Sequence, residues 1–489
     1  MTIRLILTTL LALALPACNR AADDGPVIVS VIGAEAQWRD PAQKALRPAD
    51  AALLGAVAQG LVRFDAASQI GPGLAIRWAI SDDGLYYTFR LDRDLADAES
   101  VAEGLRRLLR RHRDGPMGPK LDAVRDIVAV TPEVIELRLS APRPDLLAIL
   151  AQPGFSLLIR GKGTGPMSVD GKIGRLTKVV ARGQKPLEGE PVVARRPIFL
   201  RGERAALAIA RFRDGDSALV LGGGFDDLPY VKLAALGVET LQVDPVNGLF
   251  GFRIAQATPF LSVVENRQAL AMAIDRDAIG DALAAPAWRS ALAILPPGLS
   301  DLPQPTRPFW AQALANVRRE GRASQASGAG SARLIVAQWR AKHGAGKIAP
   351  LRLAMPDGVG SAILFAAIRR QWAAIGVPVT RVRLRDPADL RLIDEVAPSD
   401  QADWYLRHFL CDQGPLCSEA ADAAFTGALS TPVPAERAQL IAEAEQYLAT
   451  IAPFIPIAQP VRWSLVSPQR SGFKANMRGI HPLPPLIEQ

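Results

Sequence analysis

The sequence predicts an α/β protein built on two or more sheets. Three observations carry this. Strand-like and helix-like apolar patterns alternate along the chain. Its 489 residues suffice for two to four domains or large lobes at roughly 100–200 residues each. Apolar residues make up 49% and charged residues 22%, which is ordinary globular usage. That composition excludes disorder over most of the chain, a collagen-like repeat and a disulfide-dense scaffold. Lys and Arg total 57 against 49 Asp and Glu, a formal charge of +8. This modest excess permits attraction to anionic lipid or solute. It argues little for nucleic acid, and no nucleic-acid partner is expected.

Residues 1–17 read as an export signal: Arg4 precedes an apolar run too short to cross roughly 30 Å of hydrocarbon. Leu15-Pro16-Ala17-Cys18 resembles a bacterial lipobox, in which the cysteine is lipidated and becomes the mature N-terminus. Ordinary cleavage, with Cys18 lost or free, is the alternative. Residues 18–26 then form a polar tether. No later run approaches a membrane span, so none is expected. Export into an oxidising compartment makes a small-loop disulfide the default for Cys411 and Cys417; free thiols and a metal site are the other readings.

Beyond the tether, VIVSVI (27–32) is a buried strand and 51–59 a small, apolar helix. YYTFRL (86–91) and VIELRL (134–139) alternate, predicting half-buried strands with Tyr87, Phe89 and Leu91, then Ile135, Leu137 and Leu139, on the covered faces. Between them, 99–113 is an amphipathic helix whose basic last turn fits a solvated C-terminus. Residues 155–245 mix short strands with Gly and Pro. LGGGFDD (221–227) lacks the spacing of a phosphate-binding loop. A single helix is expected over 265–284, and a mobile polar surface segment over 319–333. Residues 361–376 form a helix with Leu364, Ile368, Trp372 and Ile375 on one face and Gly376 at its end. A strand follows (VTRVRL), then a helix over 436–450 and strand-like segments around 456–466.

No nucleophile elbow, zinc-protease helix, P-loop or EF-hand loop occurs. The four histidines, His112, His343, His408 and His481, are scattered. An exported chain of this size without a catalytic constellation points to binding: no enzyme, no metal and no cofactor are expected.

Several blocks, taken together, resemble the family-5 extracellular solute-binding proteins of ABC importers, the oligopeptide, dipeptide and nickel type. They are GAEAQWRDP (33–41), GLVRFD (60–65), SDDGLYYTFRL (81–91), GTGP (163–166), RQALAMAIDR (267–276) and the helix-to-strand unit over 371–379. Their order holds from about residue 27 to 470. The resemblance implies a two-lobe periplasmic-binding-protein fold with an extra subdomain in lobe I and a crossing-strand hinge. Lobe I would comprise 27–50, 155–245 and 462–489, with 51–154 as the subdomain and 246–461 as lobe II. It further implies a monomer that captures a peptide or similar small solute between its lobes. The protein would deliver it to permease subunits in the inner membrane while held in the periplasm by the lipid on Cys18.

The chain also departs from that pattern. Peptide-binding members hold the ligand's ammonium on an aspartate of lobe II; the matching stretch here is DEVAPSDQA (394–402), with Pro398 where the aspartate should be and Glu395 where a tryptophan should be. That peptide mode is lost unless Asp394, Glu395 or Asp400 substitutes. The family's W-x-D-G-x-P turn is reduced to DLADAE (94–99). The candidate ligand residues are therefore Glu35, Gln37 and Trp38 in the first loop, Phe252 and Arg253 on the first strand of lobe II, and Asp394, Glu395 and Asp400. Arg253 would suit an anionic ligand group. A second reading keeps the fold and drops transport: a diverged sensor or envelope scaffold.

Overall fold

The computed structural model of the chain describes residues 25–113, 117–182, 196–302, 304–308, 310–311, 323–343, 348–468 and 472–487. The expected leader over 1–17 and the lipid-bearing Cys18 lie outside the described residues. No described helix is long and apolar enough to cross a membrane.

Two mixed sheets organise the molecule. The first has seven strands, in the order Met167–Ile173, Leu176–Ala181, Ile198–Glu203, Val27–Ile32, Leu219–Gly224, Arg462–Val466 and Leu241–Val243. Its centre is Val27–Ile32, parallel to both neighbours. Val27, Val29 and Val31 are buried, as a β-branched central strand requires. The second sheet has five strands: Val379–Arg383, Leu351–Met355, Leu390–Val396, Gly248–Ile254 and Phe454–Ala458.

The chain crosses between the two sheets twice. It leaves the first after Leu241–Val243 and enters the second at Gly248–Ile254; it returns from Phe454–Ala458 to Arg462–Val466. Each crossing is only a few residues long. The strand-like segments expected around 456–466 are thus two strands in two different sheets.

A four-stranded antiparallel sheet (Ala75–Ile80, Tyr86–Leu91, Val134–Leu139, Val124–Thr131) carries its own core with the helix Ala98–His112. Tyr87, Phe89, Leu91, Ile135, Leu137 and Leu139 are all buried. The reduced DLADAE turn has become a helix cap: the Asp97 carboxylate accepts from Ser100 N at 2.9 Å. The GTGP turn sits against the helix Pro48–Val57, where Gly165 N donates to Val57 O at 2.9 Å. A Cβ on Gly165 would lie 2.6 Å from the Val57 carbonyl carbon, so only glycine fits.

Two expectations are corrected. The helix expected over 265–284 is two, Val264–Met272 and Arg276–Leu283. Asp275 ends the first run and caps the second, accepting from Ala278 N at 2.9 Å. The segment expected to be mobile is helical from Ala323 onwards, within Ala323–His343. This helix packs against Val264–Met272 and buries Ala332 and Val336; apolar residues beyond the polar stretch anchor it. The helix Val359–Ala374 runs as expected, with Leu364, Ile368 and Trp372 buried and Gly376 closing it at φ +86°.

Candidate functional site

The segment 394–403 joins the second sheet to the rest of the molecule. Its residues are bonded one after another to groups far away in the chain. Asp394 accepts from Arg462 Nη1 at 2.9 Å, and its carbonyl accepts from Nη2 of the same guanidinium. Burial pushes the Asp394 carboxyl up from its ordinary range, against the Arg462 charge. Burial also pulls Glu395 upward, but its hydrogen bond with His408 Nε2 at 3.2 Å and that ring's charge hold it below its usual value. The Pro398 carbonyl accepts from Gln152 Nε2 at 3.3 Å. Asp400 pairs with Arg478 at 2.9 Å.

At the far end of this segment lies a buried ionic cluster. Lys120, in the short helix Gly118–Leu121 beside the four-stranded sheet, pairs with Asp145 from the same part of the chain. It also reaches Asp403, at the end of segment 394–403, at 2.7 Å. Ser399 donates to Asp145 at 2.6 Å and lies 3.3 Å from Lys120 Nζ. All four side chains are buried. Burial alone would lower the Lys120 pKa, but two carboxylates outweigh it and raise it. Burial likewise pulls the Asp145 carboxyl upward, yet Lys120 and Ser399 hold it down; Asp403 is pushed up by burial and by the Asp145 charge. One ammonium thus bridges two acids from distant segments of the chain.

Next to this cluster opens a cleft of about 950 Å³. Residues near the four-stranded sheet (Phe64, Ser68, Gln69, Asp145) form one wall, and Ser300, Asp301, Gln401 and Arg437 form another; Met477 and Arg478 complete the lining. The Asp301 carboxylate accepts from Ala402 N at 2.9 Å and so caps the helix Ala402–Arg407. Burial and the nearby Asp403 raise its pKa to about 6. Arg437 donates to the carbonyls of Thr431 and Pro142, at 3.1 and 3.4 Å.

Of the residues singled out from the sequence, Asp400 lines this cleft and the others lie outside its lining. In the first loop, Glu35 pairs with Lys172 at 3.1 Å and Gln37 accepts from Arg39 at 2.9 Å. Trp38 is 46% exposed. Its ring edge lies against Gly163, where an added Cβ would come within 3.1 Å. Asp50, buried in the helix Pro48–Val57, pins this loop by accepting from Gln37 N at 2.7 Å.

Phe252 is fully buried, with its ring 6.2 Å from that of Trp372. The strand Gly248–Ile254 is covered on both faces. Arg253 is half-buried and donates to the Gln413 carbonyl at 3.1 Å; burial lowers its pKa. Cys411 and Cys417 are joined in a disulfide, so neither sulfur is a free thiol or a metal ligand in this structure. Among the described residues, no group of three or more His, Cys, Asp or Glu is placed to hold a metal ion.

Two lobes joined by two chain crossings, with a third sheet appended to the first lobe, define the fold of the two-lobe periplasmic binding proteins. The similarity is to solved structures. OppA of Haemophilus influenzae, in complex with the peptide RPPGFSPFR, matches at TM-score 0.75 and 17% identity, over 94% of this chain and 99% of that one. The murein tripeptide binding protein MppA of Escherichia coli matches at 0.73 and 17%, over 94% and 97%. NikA of Brucella suis, in complex with Fe(III)-EDTA, matches at 0.73 and 16%, over 93% and 98%. At such identities the likeness carries the fold. No protein-family model and no curated protein matches the chain.

Proposed function

We propose that the protein is the solute-binding subunit of an ABC importer. It captures a peptide or similar small polar solute between its parts and presents it to permease subunits in the inner membrane. In this reading it acts as a monomer in the periplasm, held by a lipid on Cys18, and has no catalytic residues. We divide it into lobe I (27–50, 155–245 and 462–489), the subdomain 51–154 and lobe II (246–461). The observation that carries the reading is the cleft of about 950 Å³, lined by mixed charges and hydroxyls, at the boundary of two bodies joined by two short crossings. A solute touching both walls favours the docked state. The solved structures, with their peptide and chelate ligands, support the same class.

Native mass spectrometry of the exported, gently purified protein tests this. A defined solute adduct is expected; a protein that stays bare against peptide and small-solute libraries overturns it. For the anchor, Cys18→Ser should release the protein from the membrane fraction, and retention there would remove lipidation from the proposal. One observation favours the second, non-transport reading: Asp394, Asp400 and Asp403 are already paired with Arg462, Arg478 and Lys120 of the same chain. Unchanged uptake of the identified solute after gene deletion would favour that reading over transport.

A further inference from the structure

The net charge of the chain is not spread evenly. From the start of the helix Ala323–His343 to residue 389, just before the strand Leu390–Val396, the sequence holds ten Lys and Arg against three Asp and no Glu. That is +7 of the chain's +8; elsewhere the two signs nearly balance. The fold gathers this segment at one edge of the second sheet. Val379–Arg383 is the edge strand, and the helix Val359–Ala374 leads into it from Leu351–Met355. The helix Ala323–His343 is tied to the end of that helix: Arg333 Nε donates to the Ala374 carbonyl at 3.1 Å, and Arg340 to that of Gly376. Arg352 and Arg381 are paired, with Asp389 and Asp357. Arg333, Lys342, Arg369, Arg370, Arg383 and Arg385 are exposed. Among the described residues, none of these six has a carboxylate within salt-bridge distance.

A charged edge strand guards a sheet against pairing with other strands. That accounts for Arg381 and Arg383. It leaves out Arg369 and Arg370 on one helix, and Arg333 and Lys342 on another. Two leucines lie exposed among these cations: Leu384, at 40%, between Arg383 and Arg385, and Leu334, at 67%, beside Arg333. We infer that this basic edge of the second sheet is a membrane-docking surface that fits anionic phospholipid headgroups. Guanidinium groups take phosphate oxygens with charge-assisted hydrogen bonds, and several cations held together add up against an anionic leaflet. The leucines suit the apolar boundary just beneath the headgroups. A single-stranded nucleic acid would call instead for exposed aromatic rings to stack on its bases; the large apolar residues exposed at this edge are aliphatic. None of these residues lines the cleft, so the surface is independent of the solute-binding reading and of a lipid on Cys18.

The test uses the exported chain carrying Cys18→Ser, so that no acyl chain on the protein inserts. Flotation with phosphatidylcholine vesicles, with and without phosphatidylglycerol, reads the binding. The chain should bind only the vesicles that contain phosphatidylglycerol, and high salt should release it. Arg369→Glu with Arg370→Glu should weaken that binding by about tenfold or more, and so should Arg383→Glu with Arg385→Glu. Arg110→Glu with Arg111→Glu makes an equal charge change on the exposed last turn of the helix Ala98–His112 and should leave binding nearly unchanged. Leu334→Ser with Leu384→Ser should weaken it while its salt dependence persists. All these side chains are exposed, so equal thermal melts are expected and exclude misfolding as the cause. A chain that ignores phosphatidylglycerol overturns the inference, as does capture by an immobilised polyanion without any binding to vesicles. Equal loss in the Arg110 and Arg111 variant overturns it too, because overall charge rather than this edge would then be responsible.

Discussion

Glu445 shows what one buried residue does to this chain's stability. Its side chain is 2% exposed, one oxygen accepts from Thr306 N at 2.7 Å, and the other has no partner among the described residues. Burial pushes its pKa from 4.5 to about 7. For a raised carboxyl the folded state holds the proton longer than the unfolded state. The associated stability is therefore full below the unfolded value and is lost as pH rises towards 7. A shift of this size corresponds to about 3 kcal/mol. Glu445→Gln should therefore match the wild type in urea unfolding at pH 4 and exceed it at pH 8 by up to about 3 kcal/mol. Equal stability at pH 8 would show that the buried carboxyl is better solvated than its surroundings suggest. At this scale the sequence told core from surface well wherever alternation was clean, as at Tyr87, Phe89 and Leu91. Alternation says nothing at Phe252, because a strand covered on both faces hides every side chain regardless of period. Lys120 carries no local signal: what singles it out is which opposite charges it meets, and those partners lie far away in the chain.

Among the elements, the helix Gly118–Leu121 has the largest consequence for its size, because it carries Lys120 between Asp145, beside the four-stranded sheet, and Asp403, beyond the second sheet. Replacing Lys120 with Met leaves Asp145 and Asp403 buried with no cation. We expect a loss of about 3–5 kcal/mol in unfolding free energy. Adding Asp145→Asn and Asp403→Asn should recover much of that loss, since the charges stranded by the first change are then gone. Failure of the triple variant to recover would place the effect in packing. Element identity was legible where a pattern had a single period and a clear stop, as in Val359–Ala374 with Gly376 after it. It was less legible over 265–284, where the Asp275 cap divides a run of good helix formers. It failed over 323–333, where serine, glycine and alanine looked like a loop until apolar residues further along, Ala332 and Val336 among them, tied the helix to its neighbour.

For the whole molecule, the order of sequence blocks anticipated the two-lobe fold, since glycine turns such as GTGP admit no Cβ where they pack and strand–helix units show a clear period. The cleft was not legible, because its walls come from segments near residues 64–70, 145, 300, 400, 437 and 478 that only folding brings together. One consequence follows from how segment 394–403 is tied down. In a two-population equilibrium between docked and splayed forms, every bond that exists only when docked multiplies the docked population, whether or not a solute is present. A ligand acting alone must bind one form about 10⁴-fold better to turn a 1:99 ratio into 99:1. Lys120, Gln152 and Arg478 already contribute to that preference from within the chain. The empty ensemble is then weighted towards the shape of the loaded one. Small-angle scattering should show little change in radius of gyration on loading, and a marked contraction would mean the splayed form dominates until a solute arrives. A partner that reads shape alone would see little contrast between the two, and would have to sense the occupant itself.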